Sequence, residues 1–208
     1  MSFYVGLDLG QSNDFTALAV VQGSAGEDNE LRLRHLERYP LRTPYTEIAD
    51  GVARLVRDPA LTVTTERHFG KVHRWPPELV VDNTGVGVAV TDLLRECGLT
   101  FRPVTITGGD VARASETQDK GRHYRVPKRD LVAALEVPFH NDTLKVAEGL
   151  PLWPTLREEL LNFRRKIDLK TAHDSYEHWR ESDHDDLVLA AALAGWAARR
   201  PEPTMVFV

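Results

Sequence analysis

The chain is constrained most by its first apolar stretch, YVGLDLGQSNDFTALAVV, at residues 4–21. Two β-rich runs, 4–9 and 15–21, flank a segment of Gly, Gln, Ser, Asn and Asp, a composition typical of a hairpin turn. Asp8 lies inside the first run. A buried carboxylate costs free energy unless it is compensated, and a cation or a phosphate-bound metal would compensate it. The alternative is that Asp8 ends the strand early and caps the turn.

Composition places the chain among ordinary globular proteins. Its 208 residues are 42% hydrophobic and 27% charged, which is enough for one domain with a substantial core. No apolar run is long enough to span a membrane, and no signal segment is evident, so we expect no membrane partner. Cys97 is the only cysteine, which excludes a disulfide framework and a cysteine-based zinc site and favours a cytoplasmic location.

Hydrophobic patterning predicts an α/β domain with a mixed central sheet flanked by helices. Residues 3–39 are expected to form an antiparallel three-strand meander, and residues 79–107 a βαβ unit with parallel strands. The last helix, 182–200, is apolar almost all round and is expected to be buried against the sheet. We further predict an edge strand at 61–65, a short strand at 143–147 and helices at 43–58, 127–136 and 153–166. Loops are expected at 68–77 and 108–125, and a loop or hairpin at 168–180.

Aspartates stand at the ends of two of the predicted strands. Asp8 belongs to the first strand, and Asp82 directly follows the apolar run Leu79–Val81. Because adjacent parallel strands end on the same edge of a sheet, we expect Asp8 and Asp82 to lie close together.

A third group of acids, DHDD, opens the last helix. Ser182 and Asp185 match a capping box, which accounts for Asp185 without any further function. Asp183 and Asp186 are three residues apart and would share one helix face. A helix face with two carboxylates opposite two strand-end carboxylates predicts an oxygen site for Mg²⁺ or Mn²⁺.

In the order of its elements and acids, the chain resembles the ribonuclease-H-like nuclease superfamily, and within it the nuclease domain of phage terminase large subunits. The pieces that carry this resemblance are GLDLGQSNDFTALAVV, LVVDNTGVG, VPKRDLVAAL, LREELLNFRRK and DHDDLVLAAALA. The resemblance implies a single α/β domain of ribonuclease-H-like fold over residues 1–208. It also implies an endonuclease that hydrolyses double-stranded DNA by a two-metal-ion mechanism, with Mg²⁺ or Mn²⁺ and little sequence specificity.

The resemblance also assigns roles to the acids. Asp8, Asp82 and Asp186 would be catalytic metal ligands, with Asp183 or Asp185 as the fourth acid. The resolvase branch of the superfamily places two acids three residues apart at this point, which favours Asp183 as the fourth catalytic residue.

One feature departs from the full-length terminase pattern. The chain contains no GxxxxGK[ST] motif, so we expect no ATPase motor domain within it. It would then be either an excised domain or a free-standing relative. A motor domain or other packaging proteins would be its partners in the cytoplasm of a bacterial or phage-infected cell.

Basic residues suggest where DNA would bind. The segment KGRHYRVPKR carries five cationic side chains and no acid, although the net charge of the chain is -5. Phosphate contacts without base reading would suit these residues, and the alternative is an ordinary solvated loop. The candidate DNA-binding residues are Lys120, Arg122, Arg125, Lys128 and Arg129, and a second basic group comprises Arg164, Arg165, Lys166 and Lys170.

Three other functions compete with this prediction. A resolvase-like nuclease of the same superfamily would share its chemistry. The DLG and DNTGVG motifs also occur in actin-like and sugar-kinase nucleotide-binding proteins, but these need two such lobes and 208 residues supply about one. A non-enzymatic assembly module would not require all of the acids.

Overall fold

The computed structural model describes residues 1–10, 14–23, 30–67, 71–85, 87–108, 113–117, 121–170 and 185–200. Within these ranges the chain forms ten strands, five α-helices and one 3₁₀ turn at Pro59–Leu61. The strands are β1 (Ser2–Asp8), β2 (Thr16–Gly23), β3 (Leu31–Tyr39), β4 (Val63–Arg67), β5 (Lys71–Trp75), β6 (Glu78–Asp82), β7 (Phe101–Thr107), β8 (Arg113–Thr117), β9 (Gly121–Pro127) and β10 (Leu144–Val146). The helices are α1 (Tyr45–Val56), α2 (Gly87–Glu96), α3 (Lys128–His140), α4 (Trp153–Lys170) and α5 (Asp186–Ala198).

Eight of the strands form one mixed sheet in the order β10-β3-β2-β1-β6-β7-β9-β8. β1, β2 and β3 make an antiparallel meander, while β1, β6, β7 and β9 run parallel to one another. β4 and β5 pair separately as a two-stranded antiparallel hairpin. The predicted mixed sheet, with an antiparallel start and a parallel continuation, is therefore confirmed.

Helices cover both faces of the sheet, because alternate side chains of each strand point to opposite sides. On one face the core joins β1–β3, β6, β7 and β9 to α3, α4 and α5. On the other face Val5, Leu7, Leu18 and Val81 pack against α1 and α2. Asp8 follows Leu7 by one residue, so its side chain points to the α5 face.

Helix α5 packs on one face of the sheet together with α3 and α4, and it is buried along its whole length. It packs closely against β1 at Gly6, where a Cβ atom would lie 2.0 Å from the carbonyl oxygen of Ala190. Only glycine permits that approach, so Gly6 sets how near α5 comes to the sheet. The same proximity brings the first turn of α5 to the Asp8 end of β1.

Several predicted elements differ from the structure. The predicted loops at 68–77 and 108–125 contain strands β5, β8 and most of β9. These strands are polar, and β9 forms because it pairs with β7, a tertiary contact that composition does not reveal. Helices α3 and α4 run on to His140 and Lys170, beyond the predicted ends. No helix in the described ranges is long and apolar enough to cross a membrane.

The start of the last helix is also corrected. The capping-box interpretation placed Asp185 inside a helix beginning at Ser182, whereas α5 begins at Asp186 with Asp185 as its N-cap residue. Ser182 and Asp183 lie outside the described residues.

Candidate metal centre

Asp8 and Asp82 lie at the same edge and on the same face of the sheet. In the parallel register of β1 and β6, Leu7 is opposite Val81, so Asp8 and Asp82 occupy the next positions of neighbouring strands. Both are buried, with exposed fractions of 8% and 7%. This register brings the two strand ends together, as expected from the sequence.

The start of α5 adds two further carboxylates. Asp186, in the first turn, is buried, and its Oδ2 accepts a hydrogen bond of 2.7 Å from Nε of Arg38. Asp185 makes no side-chain hydrogen bond to the helix backbone. Its Oδ2 instead accepts a hydrogen bond of 2.5 Å from Nζ of Lys128. Each helix acid therefore has a cationic partner from another element.

The electrostatics of Asp8 indicate that these four carboxylates form one group. Burial raises the pKa of Asp8 well above its ordinary value, and the charges of Asp82, Asp185 and Asp186 raise it further, as does its hydrogen bond with Asp82. We call Asp8, Asp82, Asp185 and Asp186 the acidic cluster. A cation bound among them would remove most of this penalty.

Backbone and side-chain hydrogen bonds hold the turn that follows Asp82. Its Oδ1 accepts the backbone N–H of Thr84 at 2.8 Å, and Thr84 Oγ1 accepts the N–H of Ile106 at 2.7 Å. Gly85 has a φ of 79°, a conformation that favours glycine. The turn thereby ties the end of β6 to β7 and limits the movement of Asp82.

Gly10, two residues after the end of β1, is held by side chains of β2 and α1. The N–H of Gly10 donates to Thr16 Oγ1 at 3.1 Å, and the Tyr45 hydroxyl donates to the carbonyl oxygen of Gly10 at 2.9 Å. A Cβ atom at Gly10 would lie 2.3 Å from the carbonyl oxygen of Asp14. These contacts close the chain tightly behind Asp8.

Sequence reasoning missed two charged residues beside the acidic cluster, Arg38 and Glu159. Arg38 Nη2 donates to Glu159 Oε1, and Glu159 Oε2 accepts the N–H of Val188 at 3.3 Å. Burial raises the pKa of Glu159 to about 7, and the Asp186 charge adds to that rise, while Arg38 and Val188 oppose it. The available signal was the position of Arg38, two residues after buried Leu36 and therefore on the core face of β3.

The donor set fits a hard divalent cation in its chemistry. All four members of the acidic cluster offer carboxylate oxygens, and none offers nitrogen or sulfur, a set that suits Mg²⁺ or Mn²⁺. Among the described residues, no three His, Cys, Asp or Glu side chains are already close enough to enclose one ion. Arg38 and Lys128 each bond Oδ2 of a helix acid, so an ion bound through Oδ1 of Asp186 or Asp185 would leave both of these bonds in place.

The predicted basic segment is partly placed. Lys120 lies outside the described residues, and Arg122, Arg125 and Arg129 are exposed. Lys128 does not face solvent freely but bonds Asp185, so it belongs beside the acidic cluster. Arg122 and Arg125 point to opposite sides of β9 because they are three residues apart on a strand. The side chains of the second basic group, 164–170, lie outside the described part of the structure.

Strand β8 adds a basic residue that was not predicted. Arg113 lies opposite Arg125 in the antiparallel register of β8 and β9, and both are exposed. His123, also on β9, bonds Thr105 through Nε2 at 2.8 Å. Burial lowers the pKa of His123, and the charge of Arg125 lowers it further.

Comparison with solved structures identifies the fold. The large terminase nuclease from thermophilic phage G20c matches with a TM-score of 0.57 and 17% identity, over 93% of this chain and 80% of that chain. The inhibitor-bound, Mn-soaked human cytomegalovirus terminase nuclease domain matches with a TM-score of 0.51 and 18% identity, over 94% and 82%. The HK97 bacteriophage large terminase matches with a TM-score of 0.52 and 13% identity, over 94% of this chain and 39% of that chain.

No protein-family model matches the chain, and no curated protein matches it significantly. The resemblance to terminase nuclease domains is confirmed at the level of the fold, which is ribonuclease-H-like.

Proposed function

We propose that this chain, which shares the fold of viral terminase nuclease domains, is a metal-dependent endonuclease that hydrolyses phosphodiester bonds of double-stranded DNA. One observation carries the proposal: two buried strand-end acids and the two acids at the start of α5 share one electrostatic environment, in which the pKa of Asp8 is strongly raised. A cluster that disfavours its own charge is suited to binding cations.

The roles follow from the placement of the acids. Asp8, Asp82 and Asp186 would hold two divalent ions, with Asp185 or Asp183 as the fourth acid. When bound, such ions activate a water and stabilise the leaving oxygen of a phosphodiester. The buried positions of Asp8 and Asp82 keep these carboxylates fixed and shield them from bulk water. The Mn-soaked cytomegalovirus domain supports Mn²⁺ as one suitable ion.

Basic residues beside the acidic cluster suit a DNA substrate. Lys128 and Arg129 begin α3, directly after β9, and Lys128 reaches Asp185. Arg122 and Arg125 extend positive charge along β9 from this point. Contacts with phosphates from these side chains would give binding with little dependence on base sequence.

Two finer alternatives remain within or near this fold. A resolvase-like nuclease would use the same acids on a branched substrate, and cleavage of a four-way junction in preference to linear duplex would favour it. A nucleotide-binding protein of the actin or sugar-kinase type is disfavoured because the eight-stranded mixed sheet matches terminase nucleases over nearly the whole chain. The HK97 large terminase is longer than this chain, and we also propose a packaging motor as a partner.

Plasmid cleavage tests the proposal directly. We expect nicking and linearisation in millimolar Mn²⁺ or Mg²⁺ and none in EDTA. Asp82→Asn should lower the rate by at least about 10²-fold, because a charge that holds the metals is removed while size is kept. Asp92→Asn is the matched control, since Asp92 is exposed on α2 and pairs only with Arg95 in the described structure. Cleavage by Asp82→Asn at the wild-type rate would contradict the proposed function.

A further inference from the structure

Arg38 and Glu159 lie directly behind the acidic cluster and have no role in the proposed function as stated above. Their side chains are 17% and 8% exposed. Arg38 is in the same cross-strand row as Asp8, because Asp8 is opposite Ala17 and Ala17 is opposite Arg38. From there its guanidinium donates through Nε to Asp186 Oδ2 at 2.7 Å and through Nη2 to Glu159 Oε1.

Glu159 also contacts the start of α5. Its Oε2 accepts the N–H of Val188, the third residue of the helix, at 3.3 Å. That N–H is one that the side chain of an N-cap Asp ordinarily accepts. Here the N-cap residue, Asp185, makes no such bond, and its carboxylate turns to Lys128 instead. Glu159 therefore replaces the N-cap side chain and leaves the Asp185 carboxylate for the acidic cluster.

We propose that Arg38 and Glu159 are a positioning pair that orients the two helix acids for divalent-cation binding. Arg38 fixes the carboxylate of Asp186, while Glu159 fixes Arg38 and caps α5 in place of Asp185. The inference rests on the proposed function and deepens it, because it names residues that act on the metal ligands without touching substrate or metal.

The geometry of a guanidinium suits this role. Its planar fork of N–H groups binds two carboxylates in fixed directions, which an ammonium group does not do. Apolar residues of similar volume can often replace a buried charge network without loss of stability, so stability alone does not account for this one. Lysine at position 38 would keep the charge but lose the fixed orientation of Asp186.

The test measures the rate of plasmid cleavage as a function of Mn²⁺ concentration and, without DNA, the rise in melting temperature over the same Mn²⁺ concentrations. We expect Arg38→Met to raise the half-saturating Mn²⁺ concentration about tenfold or more in both measurements and to lower the maximal rate of cleavage. Arg38→Lys should recover part of the maximal rate. Glu159→Gln, which can still accept the Val188 N–H, should shift both quantities in the same direction but less. The double variant should be no worse than Arg38→Met, since Glu159→Gln keeps an acceptor for the Val188 N–H and loses only the contact that acts through Arg38.

Arg34→Met is the matched control, because Arg34 lies on the same strand, is exposed and donates to Gln22 outside the acidic cluster. It should leave the Mn²⁺ dependence unchanged. Thermal melts identify any variant that fails to fold. If Arg38→Met does not fold, the test rests on Arg38→Lys, which keeps the charge, and on Glu159→Gln, which keeps the shape.

The outcomes separate the two proposals. If Arg38→Lys, Glu159→Gln and any folded Arg38→Met cleave at the wild-type rate and with the wild-type Mn²⁺ dependence, the positioning pair alone is overturned. This holds even if their melting temperatures fall. Absence of metal-dependent cleavage by the wild-type protein would overturn both the proposed function and this inference.

Discussion

Asp8 occupies a place where its own charge is disfavoured, by burial first and by three neighbouring carboxylates second. We therefore expect Asp8→Asn to stabilise the metal-free protein by about 1 kcal/mol or more, since the amide keeps the shape and removes one charge. Thermal melts in EDTA and in millimolar Mn²⁺ would measure this. The wild type should gain stability from Mn²⁺ by mass action, and the variant should gain much less.

The same melts provide the contrary outcome. A wild-type midpoint that does not move in Mn²⁺, together with an Asp8→Asn midpoint equal to wild type in EDTA, would mean that the acidic cluster neither binds the cation nor repels itself. Asp50→Asn is a suitable comparison, because Asp50 is an exposed residue of α1 on the other face of the sheet.

The fourth acid can be assigned by comparing two neighbouring aspartates. Asp185 contributes to the electrostatic environment of Asp8, so we expect Asp185→Asn to raise the half-saturating Mn²⁺ concentration of cleavage more than Asp183→Asn does. Loss of an N-cap bond does not complicate the Asp185 variant, because that side chain makes none. The reverse ranking of the two variants would restore Asp183, which the resemblance favoured.

The close contact between α5 and β1 depends on Gly6, which has no side chain. Gly6→Ala would place a Cβ atom 2.0 Å from the Ala190 oxygen and 2.8 Å from the Ala194 nitrogen, so α5 must move away from the sheet. We expect a loss of about 3 kcal/mol or more in the free energy of unfolding, measured by urea denaturation.

Gly195→Ala is the matched control on the same helix. A Cβ atom there meets its nearest neighbours at 3.4 Å, an ordinary contact, so the higher helix propensity of alanine should give a change between neutral and about 1 kcal/mol stabilising. Equal effects of the two variants would mean that the close approach at Gly6 is not what constrains α5.

Because Tyr39 of β3 is buried against α1, we expect the free energy of unfolding to fall at high pH. Burial raises the pKa of Tyr39 to about 12, with Glu37 and Glu47 adding to the rise and Arg54 opposing it. Because the folded pKa exceeds the ordinary value of 10.0, this residue's contribution to stability is full below pH 10 and is lost as the pH rises through 12.

We expect this loss to be on the order of 1 kcal/mol once solvent screening is allowed for. Urea denaturation between pH 9 and about 12 would measure it, with Tyr39→Phe as the comparison. A Tyr39→Phe profile as steep as that of the wild type would assign the alkaline loss to other groups.

Elements with strong apolar periodicity were predictable, and elements made by tertiary pairing were not. The meander, the βαβ unit and the buried last helix follow from runs such as Tyr4–Leu9 and Leu79–Val81. β9 is polar and forms through its parallel pairing with β7, so its composition indicated a loop. The Arg38–Glu159 contact joins residues 121 positions apart, and no local pattern connects them.

Exposed arginines of β9 and of the start of α3 lie close in the chain to Lys128, which bonds Asp185 of the acidic cluster. We expect Arg122→Glu, Arg125→Glu and Arg129→Glu together to weaken duplex DNA binding. The plot of log affinity against log salt concentration should also become less steep, by about 0.9 in slope for each phosphate that the variant no longer neutralises. Binding titrations at several salt concentrations would measure both quantities.

Arg34→Glu, Arg54→Glu and Arg57→Glu together provide the comparison with the same change in net charge, because these exposed residues lie on β3 and at the end of α1, away from β9. Equal reductions in affinity in the two sets of variants would indicate an effect of net charge alone. An unchanged salt slope in the triple variant would place the DNA contact elsewhere.

The acidic cluster joins the first strand to the last described helix, and this fixes when it can exist. Asp8 and Asp186 are 178 positions apart in the sequence. At typical synthesis rates of about 5–20 residues per second, the ribosome makes Asp8 roughly 10–40 s before Asp186. Throughout that interval β1 and β2 lack the helix that covers them. For the proposed nuclease we therefore expect a growing chain to be inactive toward the nucleic acids around it, and a product terminated before α5 to stay inactive.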